Sequence, residues 1–454
     1  MSSFEKIDKY MEKHLDANIE ELSHLVSIPS IAAQNTGQAE CAELVAKMLS
    51  QRGFDVEILP TQGAPVVFGE IKGKVEKTLI FYNHYDVQPP EPLELWESAP
   101  FEATRRDGKV FGRGISDDKA HITSRLLAID ALLDVEGELP CNIKFVIEGE
   151  EEIGSVHLPE FVKQNAERLA ADVCIWEFGG VDHRDVPVQY LGLRGICYVE
   201  LSLETASIDA HSGLGGSIFP NAAWRLVWAL NTLKNQEEHI LIDGYYDNVV
   251  PPSERDWELF GKLPDPAEEY KTRYTLKEFL KDVEGGAALR VQETLEPTCT
   301  ICGLTSGYQE AGSKTVLPAK ASAKIDFRLV PNQTPEETLS KLRAHLDKHG
   351  FEDIQMEYLG GEAPGRTDPD HPFVQLVVQA AEEVYQAPME LHPMNGGSGP
   401  NHAFIEYLNV PVATAGVGYP GTQAHAPNEN IRLDLYMQGA RHIARILKAF
   451  GDQP

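Results

Sequence analysis

Five short segments gather the side chains best suited to hold a metal ion or move a proton: His84-Tyr85-Asp86, Asp117-Asp118, Glu148-Gly149-Glu150-Glu151-Glu152, Glu177, and His425 far downstream. On an extended chain, residues two apart point the same way, so Asp86 lies beside His84. A carboxylate there can hold one imidazole nitrogen and leave the other for a metal, although a polar turn after a strand has the same composition. Gly112-Arg113-Gly114-Ile115-Ser116-Asp117-Asp118-Lys119 runs from a glycine-bearing turn into a helix. It fails as a phosphate cradle, because the third glycine is missing and its own carboxylates repel phosphate. A metal-bridging carboxylate and an ordinary helix cap both remain open. Adjacent glutamates suit a division of labour in which one binds metal and its neighbour takes a proton from water, and a solvated charged face is the plainer alternative. Glu177 stands in the apolar run Ile175-Trp176-Glu177-Phe178, where a charge is costly unless paired. His425, in Ala424-His425-Ala426-Pro427-Asn428-Glu429, is a ligand or an incidental loop residue.

The elements around these residues place them alike. In an open α/β sheet, ligands collect at the carboxyl ends of strands. Apolar runs at 56–59, 66–71, 78–83, 142–149 and 172–178 read as strands, some nearly continuous in the way a sheet covered on both faces demands. Helical patterns at 119–133 and 158–169 alternate with them. From residue 196 the pattern changes to apolar and polar alternation, again at 322–330, with helices at 221–234 and after Pro335, as expected for half-buried antiparallel strands with helices on one face. A helix at 373–385, a strand at 411–416 and a closing helix at 433–450 return to the first style. The expected architecture is an α/β catalytic domain, 1–194 with 366–454, interrupted by an α+β insert, 195–365. Residues 236–298, rich in Pro, Asp and Glu, read as loops and short helices of that insert.

Composition narrows the function class. The 454 residues carry 40 Lys and Arg against 70 Asp and Glu, a formal net charge of −30, which speaks against nucleic acid as a partner. With 42% hydrophobic and 24% charged residues the chain reads as a soluble globular enzyme. The amino-terminal run has charges every few residues and reads as an amphipathic helix rather than a signal peptide, and no apolar stretch of about 18 residues suggests a membrane span. Six scattered cysteines fit a reducing cytoplasm, with the one CxxC pair, Cys299 and Cys302, structural or incidental.

Taken together, HYD (84–86), GRGISDDK (112–119), EGEEEIGS (148–155), the Glu177 strand and AHAPNE (424–429), with DAHSG (209–213) between them, resemble the di-zinc metallopeptidase family of cytosolic nonspecific dipeptidase, carnosinase, aminoacylase and glutamate carboxypeptidase. LGLRGICY, SKTVLP, RLVPN and GGSGPN resemble the dipeptidase branch most. The resemblance implies a zinc-peptidase-like catalytic domain with a mostly parallel mixed sheet and a lid and dimerisation insert. It implies two zinc ions per subunit, with manganese or cobalt as alternatives: His84, Asp117 and Glu177 on one, and Asp117, Glu152 and His425 on the other. Two such metals, about 3.5–4 Å apart, share a hydroxide that attacks the amide. Glu151 becomes the general base, Asp86 orients His84, and the Asp117-Asp118 peptide is expected to be cis. His211 would reach a homodimer partner's site to assist the oxyanion, Arg328 would hold the substrate carboxylate, and Thr315 and Ser398 would contact substrate.

One departure bears on substrate. The dipeptidases of this family usually have Asp where this chain has Glu177, whereas Glu is common in the carboxypeptidases and deacylases. The expected activity is hydrolysis of dipeptides with a free carboxylate, the alternative an N-acyl amino acid deacylase or carboxypeptidase, and a third reading is a catalytically silent metal-binding or assembly protein. Retention of Glu151 beside Glu152 argues against the last.

Overall fold

The apolar run ending at His84 forms the strand Thr78–His84, which the computed structural model, describing residues 2–453, places inside a six-stranded sheet. Its neighbours Asn142–Glu148 and Val173–Trp176 run parallel to it, and Val412–Thr414 is parallel beyond the latter. Val66–Ile71 and Asp55–Leu59 extend the other edge antiparallel, so the sheet is mixed and parallel at its functional end. Period-two alternation sorts its side chains into two cores. Leu79, Phe81, Ile143, Phe145 and Ile175 pack under the helices Ser3–Val26, Gln38–Ser50, Ala120–Glu136, Pro372–Tyr385 and Leu433–Asp452. Ile80, Tyr82, Val146, Cys174 and Trp176 pack under Leu158–Gln164 and Asn401–Tyr407 on the other face. Burial on both faces is why these strands are apolar without interruption. The register sets His84 opposite Glu148, so the strand ends lie level and the segments that follow them share one edge.

The chain divides into two compact units, Met1–Gly192 with Arg366–Pro393 and Pro400–Pro454, and Leu193–Gly365 with Met394–Gly399. The second unit contains a four-stranded antiparallel sheet ordered Thr300–Ser306, Lys320–Leu329, Gly195–Glu204, Gln355–Glu362. Its central strands alternate buried and half-buried residues, with Cys197, Val199, Ile325 and Phe327 in the core that also takes Leu226 of Ala222–Leu230 and Leu342 of Pro335–Lys348.

Several boundaries differ from expectation for local reasons. The helix expected at 158–169 breaks at Asn165, whose side chain donates to the Phe161 carbonyl. Segment 236–298 is, as expected, loops and short helices, among them Glu254–Lys262, Ala267–Tyr274 and Gly286–Leu295. Met394–Gly399, and Ser398 with it, groups with the second unit rather than the first. All six cysteines are free thiols, Cys299 buried and Cys302 exposed. Among the described residues no helix is long and apolar enough to cross a membrane.

Candidate metal centre

Two clusters of ligating side chains form in the first unit: His84 with Asp118 and Glu177, and Asp117 with Glu152 and His425. One carboxylate links them. Asp117 Oδ1 lies 3.0 Å from His84 Nε2, and its Oδ2 lies 3.0 Å from His425 Nε2. His84 Nε2 is also 4.0 Å from Glu177 Oε2, and His425 Nε2 is 3.1 Å from Glu152 Oε2. The strand expected to contain Glu177 stops at Trp176, because the Trp176 and Glu177 carbonyls accept from Arg125 Nη2 instead of continuing the sheet ladder. Glu177 therefore stands at a strand end.

The glutamate run divides its tasks by hydrogen bonding. Glu148 accepts from the Tyr82 and Ser155 hydroxyls at 2.6 and 2.7 Å, and Glu150 is 2.7 Å from the His157 ring, which leaves Glu151 and Glu152 for the clusters. Asp86 serves two neighbours. Its Oδ1 is 3.2 Å from His84 Nδ1, and its carboxylate accepts from the backbone amides of Glu151 and Glu152 at 3.2 and 3.0 Å. Gln88 donates to Glu152 Oε2 at 2.9 Å. Arg125, fully buried, donates through Nη1 to the Tyr82 carbonyl and Asn83 Oδ1, and Asn83 donates in turn to Asp118 Oδ2. The Asp117-Asp118 peptide is cis.

The electrostatics call for cations. Burial pushes Glu151 and Glu177 well above the ordinary carboxylate range; neighbouring carboxylates add to this and His84 opposes it. Burial lowers the basicity of His84, but Asp117 and Asp86 overcome it and hold the ring well above its usual value. His425 is raised to about 10 by Asp117 and Glu152. Burial acts to raise Asp117, yet the two imidazoles hold it below the usual range. Glu177 Oε2 is buried without a hydrogen-bond partner. Asp118 Oδ1 also makes no hydrogen bond and lies 2.8 Å from the His121 ring nitrogen. Buried, unpaired carboxylate oxygens beside imidazoles and without thiolates suit zinc, manganese or cobalt, and divalent cations there offset the cost of packing like charges.

Residues 80–449 match the family model described as peptidase family M20/M25/M40. The chain belongs to this family. It is 31% identical to human Beta-Ala-His dipeptidase over 76% of this chain and 71% of that one, and 28% identical to the Cys-Gly metallodipeptidase of Schizosaccharomyces pombe over 97% and 96%. A crystal structure of an M20 family metallo-carboxypeptidase from Sulfolobus solfataricus superposes with a TM-score of 0.90 at 36% identity, covering 96% of this chain and 99% of that one.

The remaining expected site residues lie in the second unit and form two pairs. His211, exposed, pairs in register with Val316 on a two-stranded ribbon, and Ser212 donates its amide to the carbonyl of the exposed Thr315 at 3.0 Å. The His211 Nδ1 accepts from the Gly213 amide at 3.0 Å. Arg328 lies opposite Ile196 on the sheet face away from the helices, where Nη1 donates to Ser398 Oγ at 2.7 Å and Nε to Asp326 at 3.2 Å. Asn83, Gln88, Arg125 and Glu429 are the contributors that sequence reasoning left without a role, and Asp118, weighed there as a metal-bridging carboxylate or a helix cap, joins the His84 cluster. Arg125 had a signal: it is a lone arginine on a helix otherwise buried around most of its girth.

Proposed function

We propose that this peptidase hydrolyses the amide bond of dipeptides bearing a free carboxylate, using two divalent metals, preferentially zinc. The observation that carries the reading is Asp117, one carboxylate shared by two histidine-bearing clusters with Glu151 beside them. His84, Asp117 and Glu177 would hold one ion, with Asp118 in the same cluster, and Asp117, Glu152 and His425 the other. Bound there, the metals supply Lewis acidity to the scissile carbonyl and to the attacking water. Glu151, beside the clusters, takes the proton of that water on its carboxylate and returns it to the leaving amine. Asp86 fixes the His84 ring and the backbone that carries Glu151 and Glu152. Arg328, oriented by Asp326 and Ser398, receives the substrate carboxylate, with Thr315 and Ser398 as further contacts. His211 donates to the developing oxyanion from a partner subunit.

A homodimer through the second unit is supported by Trp224, Val227 and Trp228, exposed together on one helix, and by Ile301 and Leu304, exposed on the edge strand Thr300–Ser306. Six free thiols support a reducing, cytoplasmic setting. Glu177 and the 36% identity to a carboxypeptidase favour a second reading, release of a carboxyl-terminal residue from longer or N-blocked substrates.

A panel pairing each free dipeptide with its N-acetyl and amidated counterparts, assayed for amine release with added Zn²⁺ or Mn²⁺, decides among these. Cleavage confined to free dipeptides supports the first reading. Comparable cleavage of N-acetyl forms selects the second, equal cleavage of amidated forms removes the role of Arg328, and no release from any member leaves a metal-binding protein.

A further inference from the structure

The turn that fails as a phosphate cradle does close on an anion, and the anion is internal. Arg113 Nη1 and the Gly114 amide donate to Glu429 Oε2 at 2.8 and 2.9 Å, and the Ser116 and Asp117 amides donate to Oε1 at 2.8 and 3.0 Å. Successive backbone amides facing one point form an anion nest. The nest needs Gly114, whose φ is +75° and whose missing Cβ would stand 2.2 Å from Val87 Cγ1. Both Glu429 and Arg113 are 1% exposed, so this is a dry ion pair with its acceptor oxygens satisfied.

Glu429 also stands at the neck of the loop that carries His425. The Gly112 amide donates to the Glu429 carbonyl at 2.9 Å, and Asn430–Arg432 pairs antiparallel with Lys109–Phe111. Asn430 closes the loop with side-chain bonds to the Gly421, Thr422 and Asn428 carbonyls. One side chain thus bolts the turn bearing Asp117 to the loop bearing His425. The His84 and Glu177 ends are fixed by other groups, Asp86 and Arg125.

We propose that Glu429 is a positioning residue that sets the His425-to-Asp117 geometry, and so the affinity of the exposed half-site for its metal, more strongly than that of the buried half-site, which shares only Asp117 with it. This rests on the two-metal reading above. Calorimetric titration of the metal-stripped full-length protein with Zn²⁺ tests it, on the parent, Glu429→Gln and His425→Ala. Because Glu429→Gln leaves Arg113 buried and unpaired, Arg113→Met/Glu429→Gln, which removes both charges, is titrated as well and carries the test where the single variant does not fold.

The expected result is two sites in the parent, one site in His425→Ala, and two sites in the Glu429 variants with one weakened tenfold or more and the other weakened less. The zinc concentration giving half-maximal turnover should rise in step, with turnover recovering at saturating zinc. Equal weakening of both sites, or no weakening, overturns the proposal. A parent that binds fewer than two ions overturns the two-metal reading itself, and the proposal with it.

Discussion

In the buried cluster His84 and Glu177 stand at the ends of adjacent parallel strands and only Asp118 comes from a turn, whereas Asp117, Glu152 and His425 all stand on turns joined from three distant parts of the chain. The His84 side chain is fully enclosed, while that of His425 is 55% exposed. Strand ends arrive level because the ladder sets them level, and one buried guanidinium, Arg125, suffices to brace both. The turns have no ladder. His425, Gln423 and Asn428 all adopt left-handed backbone, with φ of 61°, 54° and 62°, a strain of about 1–3 kcal/mol each that only surrounding bonds can hold. The proposed dinuclear site would then have an enclosed half and a half open to exchange.

The largest test of that contrast is metal removal. Exhaustive chelation should abolish turnover, and stepwise chelation followed by elemental analysis should remove the ions in two phases; simultaneous loss would erase the distinction. Next, if Glu151 is the proton carrier and holds no metal as proposed, Glu151→Gln should cut kcat by about 10² or more with both ions retained. Loss of metal in that variant would make Glu151 a ligand. His425→Ala should leave one ion per chain, whereas His84→Ala should lower both metal content and melting temperature, since it opens a hole at a fully buried strand end. Indistinguishable melting curves for the two variants would break the comparison.

Arg125→Met should cost about 3–5 kcal/mol of stability in denaturant unfolding, because several carbonyls and the Asn83 amide oxygen lose a charged donor. An Arg113→Met/Glu429→Gln chain should lose less, both charges having gone together. The smallest effect separates acid unfolding from acid release of metal. His442, buried with Nε2 2.9 Å from the Val377 carbonyl, is lowered to about 4 by burial. Unfolded, it would titrate near 6.5, so below that pH the unfolded state takes the proton first and stability falls, by at most about 1.4 kcal/mol per pH unit, until about pH 4. His442→Gln should flatten this slope in metal-free protein; an unchanged slope would assign it elsewhere.

The catalytic sheet was legible because strands covered on both faces read as unbroken apolar runs, and the candidate ligands announce themselves by standing where those runs stop. The insert was legible through its alternation. What escaped depends on contacts far apart in sequence. Glu429 looks like a loop residue until the amides of 114–117 close around it, and Asp118 looks like the cap of its helix until its carboxylate meets Asn83. Met394–Gly399 was assigned with its sequence neighbours, and nothing in its glycines says that Ser398 meets Arg328.

The interruption of the catalytic unit also orders events during synthesis. His84, Asp118 and Glu177 all precede the insert, while His425 follows Glu177 by 248 residues, taken as 425 minus 177. At about 5–20 residues per second, ribosomes need roughly 12–50 s to make that stretch. A nascent chain therefore holds every candidate ligand of the enclosed cluster long before it can complete the open one. If His425 holds a metal as proposed, the unfinished polypeptide lacks a residue that peptidase activity requires, and the last ligand to emerge acts as the chain's own commissioning step.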